Sequence, residues 1–182
     1  MKRGWKIGAA VLALLLAGGW CARFLYLNHR YPQAVVETYQ TGEEIDYDGF
    51  AFTIHGYRPV QEAELTELGC TYTPETEDTD IQVKGIFVDV TIRNTGAETR
   101  EFPLYIFNLE YDDWTTGMDL EWLGYVNAFG ANVSLEPGEE RDFVVPYGIS
   151  DVQFPKKVWE QTDHLPYRII FSLYPENRMV QL

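Results

Sequence analysis

The chain has 182 residues, 46% of them apolar and 15% aromatic, and its 28 acids against 14 bases give a formal charge of −14. That length suits one domain with an appendage, and that apolar content excludes global disorder. Lys2, Arg3, Lys6, Arg23 and Arg30 stand in the first thirty residues with no acid, so all 28 acids lie beyond residue 30 with nine bases, at a formal charge of −19. A body so acidic repels phosphate backbones and anionic lipid, which argues against nucleic acid as a partner.

The first thirty residues read as a separate segment. Met1–Lys6 is short and basic, and Ile7–Ala22 runs sixteen residues without a charge. As a helix this run covers about 24 Å, and Phe24, Leu25 and Leu27 extend it toward the roughly 30 Å of a hydrocarbon core if Arg23 snorkels to the headgroups. Trp5 near one end, with Trp20, Tyr26 and Tyr31 near the other, suits the two interfaces. A retained signal anchor, with residues 7–27 in the membrane, is preferred to two alternatives. One is a signal peptide cleaved near Ala17-Gly18-Gly19; the other is a lipoprotein signal, which the bulky Trp20 before Cys21 disfavours. The basic residues ahead of the span place the N-terminus in the cytoplasm and residues 31–182 outside it, in a single-pass cell-membrane arrangement. Cys70 is then alone in the body, so no disulfide framework and no zinc spacing exist.

Beyond a short stalk at Tyr31–Ala34, the chain reads as strands and turns. Val35–Tyr39 is a first strand. Phe50, Phe52 and Ile54 alternate as a buried face, closed by Gly56 and Pro59. Val60–Leu68 breaks the pattern, with Leu65 and Leu68 three apart and Gly69 as a stop, and reads as a short helix. Thr71–Asp80 is polar and aperiodic, an exposed loop. In Gly85–Gly96, Ile86, Val88, Val90 and Ile92 share one phase and Asp89, Thr91 and Arg93 the other, marking the central strand. Phe102–Tyr111 is strongly β-forming, but its alternation slips near Ile106, as a bulge or burial on both faces requires. Asp112–Asn127 reads as a long connection with one helical turn. Val133–Leu135, a Glu136-Pro137-Gly138-Glu139 turn and Arg141–Tyr147 follow. Ile149–Pro166 is mostly loop, Tyr167–Leu173 is a last long strand, and Arg178–Leu182 adds an edge strand.

Seven or eight short strands with little helix predict an all-β fold, an antiparallel immunoglobulin-like β-sandwich preceded by an N-terminal transmembrane helix; a closed barrel is the alternative. The motifs Tyr47-Asp48-Gly49-Phe50, Val88–Gly96 and Leu135-Glu136-Pro137-Gly138-Glu139 with its Phe-Val-Val-Pro strand lie behind an N-terminal anchor. In this the chain resembles the small extracytoplasmic immunoglobulin-like domains of bacteria, over roughly residues 34–182. These are domains of unknown function, many of them on lipoproteins or single-span anchors. The resemblance implies a fold and no catalytic residues, and the Trp20-Cys21 pair departs from the lipoprotein members.

No nucleophile, base and orienting group share a local motif around His55, His164 or Cys70, so no enzyme and no cofactor are expected. His55 falls on the face opposite Phe52 and Ile54 and is read as solvent-facing. Asp112, Asp113, Asp119 and Glu121 cluster around Trp114, and Asp46 and Asp48 flank Tyr47; carboxylates on loops are what calcium requires, although acidic loops are ordinarily just solvated. Trp114, Met118, Trp122, Tyr125 and Phe129 either cap the sandwich as a second small core, which is preferred, or present an interface to a partner. The function expected is a membrane-tethered extracytoplasmic binding module with a protein partner. The alternative is an accessory subunit of an envelope complex that contacts partners through its span; an enzyme comes third.

Overall fold

A computed structural model describes residues 2–70, 81–128 and 130–182, in two compact units, Met1–Val35 and Val36–Leu182. The loop expected at Thr71–Asp80 lies outside the described residues, as does Phe129. The first unit is helix α1, Lys2–Arg30. Its segment Gly4–Arg30, 27 residues, is long and apolar enough to cross a membrane and buries none of its side chains. Trp20 and Phe24, one turn apart, stack at 5.5 Å. His29 and Arg30 in the last turn complement the negative end of the helix.

In the second unit, strands β2 (Glu44–Tyr47), β3 (Phe50–Val60), β4 (Val83–Asn94) and β9 (Glu140–Ser150) form a four-stranded antiparallel sheet in the order β2-β3-β4-β9. A five-stranded sheet takes β1 (Val35–Gln40), β11 (Glu176–Gln181), β10 (Arg168–Ser172), β6 (Asn108–Tyr111) and β7 (Trp114–Gly117), in that order. The pair β5 (Arg100–Pro103) and β8 (Asn132–Leu135) adds a small third ladder.

One core joins the two large sheets. Ile86, Val88, Val90 and Ile92 of β4 are buried together with Leu109, Ile169, Phe171 and Val180 of the five-stranded sheet. Each such side chain contributes about 1.5–3 kcal/mol on burial, and the period-two spacing puts them on one face. Phe52 is edge-on to Phe107 at 5.1 Å and to Phe171 at 5.0 Å across the layers. The fold is therefore a two-layer antiparallel β structure.

Several sequence expectations need correcting. The slip near Ile106 is neither a bulge nor two-faced burial of one strand. A 3₁₀ turn at Leu104–Ile106 separates β5 from β6, so the chain passes from one ladder to another. Asp112–Asn127 is the second half of a β6–β7 hairpin, turning at Asp112 (φ 52°), followed by an eight-residue helix, α3 (Leu120–Asn127). Residues 151–164 hold short helical turns, α4 (Lys156–Trp159) among them. The last strand, β11, lies inside its sheet, whose edges are β1 and β7.

The outer face of the four-stranded sheet is covered at one end. Helix α2 (Glu62–Glu67) ends in a Schellman arrangement, with Cys70 N–H bonded to Leu65 O at 2.8 Å and Gly69 N–H to Thr66 O at 3.1 Å. Leu65, Cys70, Val60, Phe87 and Trp122 form a second small core there. Gly85 permits this approach, since a Cβ at that position would stand 2.8 Å from Phe87 and 3.1 Å from Leu65.

Candidate functional site

The four aromatic-loop candidates divide by burial. Trp122 is 2% exposed and cannot be an interface residue as it stands. The reason is the phase of α3: Asp119 caps the helix, accepting from Glu121 N–H at 3.0 Å and Trp122 N–H at 2.9 Å, which turns Trp122 and Leu123 inward. Trp114 and Met118 are partly buried against the main core, Trp114 packing on Phe154 at 4.7 Å. Tyr125 is 53% exposed, its hydroxyl donating to Glu121 Oε1 at 3.1 Å.

The acids proposed for calcium are occupied separately. Asp112 and Asp113 form the β6–β7 turn, Asp119 caps α3 and Glu121 binds Tyr125. Asp48 holds Arg100 at 2.8 Å, and the Asp46 carbonyl accepts from Arg178. Among the described residues, no three His, Cys, Asp or Glu side chains are close enough to hold a metal ion.

The uncovered part of the four-stranded sheet carries the more organised polar group. The pairing of β3 with β4 runs Ile54 to Val90 and then Gly56 to Asp89, so His55 is the extra residue of a β-bulge. Gly56 takes a φ of 143°, which side-chain-bearing residues rarely adopt. The bulge also reverses the strand's phase: Ile54 lies in the main core before it, and Val60 in the outer core after it. His55 Nε2 stands 2.7 Å from Thr91 Oγ1, and Thr91 donates to Asp142 Oδ1 at 2.6 Å. Three neighbouring strands thus contribute one residue each to a hydrogen-bonded chain.

The proton count of that chain fixes its chemistry. The Thr91 hydroxyl has one proton, given to Asp142, so the imidazole donates to it from Nε2. A nucleophilic hydrolase needs the imidazole between hydroxyl and carboxylate; here the hydroxyl is in the middle. The arrangement orients the imidazole and does not activate Thr91.

His55 and Asp142 border an open groove of about 750 Å³ between the sheet and the end of α3, with Asp89, Val126, Asn127, Arg141 and Val144. Asn127 closes one wall, donating to Val144 O at 2.7 Å and accepting from Val144 N–H at 2.9 Å. Arg141 at the rim pairs with Glu139, whose carboxyl is held below the usual range by the Glu136 N–H and by Arg141. Asp89 has no hydrogen-bond or ion-pair partner among the described residues. The outward phase of His55, Asp89 and Thr91 is visible in the sequence, but their meeting with Asp142, 51 residues beyond Thr91, is not.

Elsewhere the buried thiol of Cys70 is pushed up by desolvation and by the charges of Asp119 and Glu121, which makes it a poor nucleophile. His164 is exposed in a 3₁₀ turn, away from His55 in the sequence, and the one hydroxyl of that turn, on Thr162, is buried and donates to Trp159 O at 2.9 Å.

A family model described as "Domain of unknown function (DUF5028)" matches residues 36–178. No curated protein matches the chain. Among solved structures, the chain is similar to the yjhA protein from Bacillus subtilis, at 15% identity and TM-score 0.44, over 79% of this chain and 98% of that one. It is similar to an uncharacterized beta-sandwich protein from Clostridium difficile 630, at 16% identity and TM-score 0.45, over 82% and 97%. A conserved hypothetical protein from Bacillus anthracis matches at 14% identity and TM-score 0.43, over 72% and 88%.

Proposed function

The chain belongs to the DUF5028 family, and from that premise we propose that it is a membrane-tethered extracytoplasmic binding module: an immunoglobulin-like β-sandwich held at the cell envelope by a single span and engaging a protein partner. The observation that carries this reading is α1, whose 27-residue segment from Gly4 to Arg30 is long and apolar enough to cross a membrane and buries none of its side chains. A helix of that composition left in water would expose more apolar surface than a soluble chain tolerates, and a bilayer removes it. The basic residues ahead of the span favour an N-terminus in the cytoplasm and an acidic domain outside.

The binding surface in this reading is the groove beside His55. It is the open part of a sheet face whose other end is sealed by α2 and α3, and its polar groups are pre-oriented by bonds across three strands. No reaction is assigned to it. A photo-crosslinking residue placed at position 55 of the full-length chain in intact cells tests the reading, with position 173, exposed after β10, as the control. A discrete adduct from position 55 alone is expected. The same adducts from both positions, or none from position 55, would contradict it.

A further inference from the structure

We infer that the groove between the β6–β7 hairpin and the segment leading into α4 takes an extended, proline-containing stretch of a partner protein, with a basic residue at its hairpin end. This open groove of about 370 Å³ shares no residue with the one beside His55. Three features converge on that occupant. The first is an aromatic wall. Trp114 and Tyr111 stand opposite each other in the β6–β7 register and both border the groove, each partly exposed. Their rings are fixed from behind, Trp114 on Phe154 at 4.7 Å and Tyr111 edge-on to Tyr167 at 6.2 Å. Pro155 and Val158 continue the apolar surface. Rigid pyrrolidine rings pack on such faces with little rotamer freedom to lose.

The second feature is a pair of uncommitted donors. Neither Trp114 Nε1 nor Tyr111 Oη is hydrogen-bonded among the described residues, and neither is sealed from solvent. By contrast, Trp159 Nε1 donates to Gln82 at 3.0 Å, Tyr147 to Phe107 O at 3.2 Å and Tyr167 to Thr162 O at 2.9 Å. A polyproline-type segment makes no internal hydrogen bonds, so its carbonyls are free to accept from both groups. A helix has its carbonyls committed along its length. The third feature is charge. Asp112 and Asp113, exposed in the hairpin turn, are the only charged residues bordering the groove among those described. Arg168 pairs with Glu110 and meets Asp112 only at its carbonyl, and Lys156 and Lys157 follow Pro155 without bordering the groove. A basic residue beside the prolines therefore meets the two carboxylates, and an acidic one is repelled.

Titration calorimetry of the full chain in lipid nanodiscs tests this with three peptides that end in the same Lys-Lys pair: decaproline, a glycine-serine decamer and an alanine-leucine helix. The decaproline peptide alone is expected to bind, and to move the Trp114 indole N–H signal in parallel NMR spectra, a signal that W114F identifies by removing it. W114F and Y111F each remove one donor and keep an aromatic ring, and each is expected to weaken that peptide about fivefold. W114A is expected to weaken it by about tenfold or more. Y105F, at an exposed tyrosine outside the groove, changes nothing. No binding of the decaproline peptide, equal binding of either other peptide, or the same loss in Y105F as in Y111F overturns the inference. The crosslink from position 55 reads a different surface, so failure here leaves the binding-module reading standing.

Discussion

The side-chain amide of Asn127 makes both outward backbone hydrogen bonds of Val144, at 2.7 and 2.9 Å, and so stands in for a neighbouring strand. β9 is eleven residues long and lies at the edge of its sheet. An edge of that length is a template for pairing with another chain. Two further devices blunt it: Pro146 has no N–H to offer, and its carbonyl accepts from Asp119 N–H at 2.8 Å.

Asn127→Leu therefore costs about 1–2 kcal/mol, because it removes both bonds while leaving Val144 near solvent. The variant is also expected to associate as its concentration rises. A lowered melting temperature together with concentration-dependent light scattering checks this; an unchanged melting temperature with a monodisperse sample contradicts it.

Asn94 is 0% exposed and uses both amide N–H donors and its carbonyl oxygen. Its Nδ2 donates to Glu98 O and Leu135 O, both at 2.8 Å, and its Oδ1 accepts from Gly96 N–H at 2.9 Å. Its backbone bonds Glu139 O and Gly138 N–H. Asn94→Ala leaves the buried Leu135 carbonyl unsatisfied and is expected to cost about 3 kcal/mol, measured by urea unfolding. A cost no larger than that of an exposed substitution contradicts this account of the turn.

Trp122 and Trp114 are expected to separate on truncation. Trp122→Ala empties the outer core between α3 and Phe87 and costs about 3–5 kcal/mol. Trp114→Ala, at a partly buried position against Phe154, costs less and leaves the fold intact. Thermal unfolding of the two variants side by side checks the order; equal losses contradict it.

Burial holds the phenols of Tyr147 and Tyr167 well above their ordinary 10.0. Their hydroxyls donate to Phe107 O at 3.2 Å and Thr162 O at 2.9 Å. In the unfolded chain both ionise near 10, so above that pH the folded state binds more protons than the unfolded one. Their contribution is full below about pH 10 and is lost as pH rises beyond it. The melting temperature should fall along an alkaline limb, and Tyr147→Phe should flatten that limb. An unaltered slope in the variant contradicts the assignment.

Much of the fold is legible in single strands. The phase of Ile86, Val88, Val90 and Ile92 gives the inner face of β4 directly, because a strand against a core needs alternation. The slip at Ile106 is legible as a slip, but its cause is a change of ladder, which depends on partners far along the chain. Asp119 reads as a loop carboxylate and proves to be a helix cap, since two backbone N–H groups need an acceptor there. Trp122 reads as one of a group that caps the sandwich or meets a partner, and only the phase of its short helix, weak in the sequence, shows that it is buried. The His55–Thr91–Asp142 chain has no local signature, because its members sit on separate strands and meet only through register.

Membrane tethering is the claim on which the reading of function depends, and one labelling experiment bears on it most directly. Ser134 is exposed on β8, so a Ser134→Cys full-length chain can be treated in intact cells with a membrane-impermeant maleimide and compared with lysed cells. The account expects a chain that sediments with membranes and labels at position 134 to the same extent before and after lysis, through a gain over the wild-type chain. Labelling at that position only after lysis, or recovery of the chain in the soluble fraction, would contradict it.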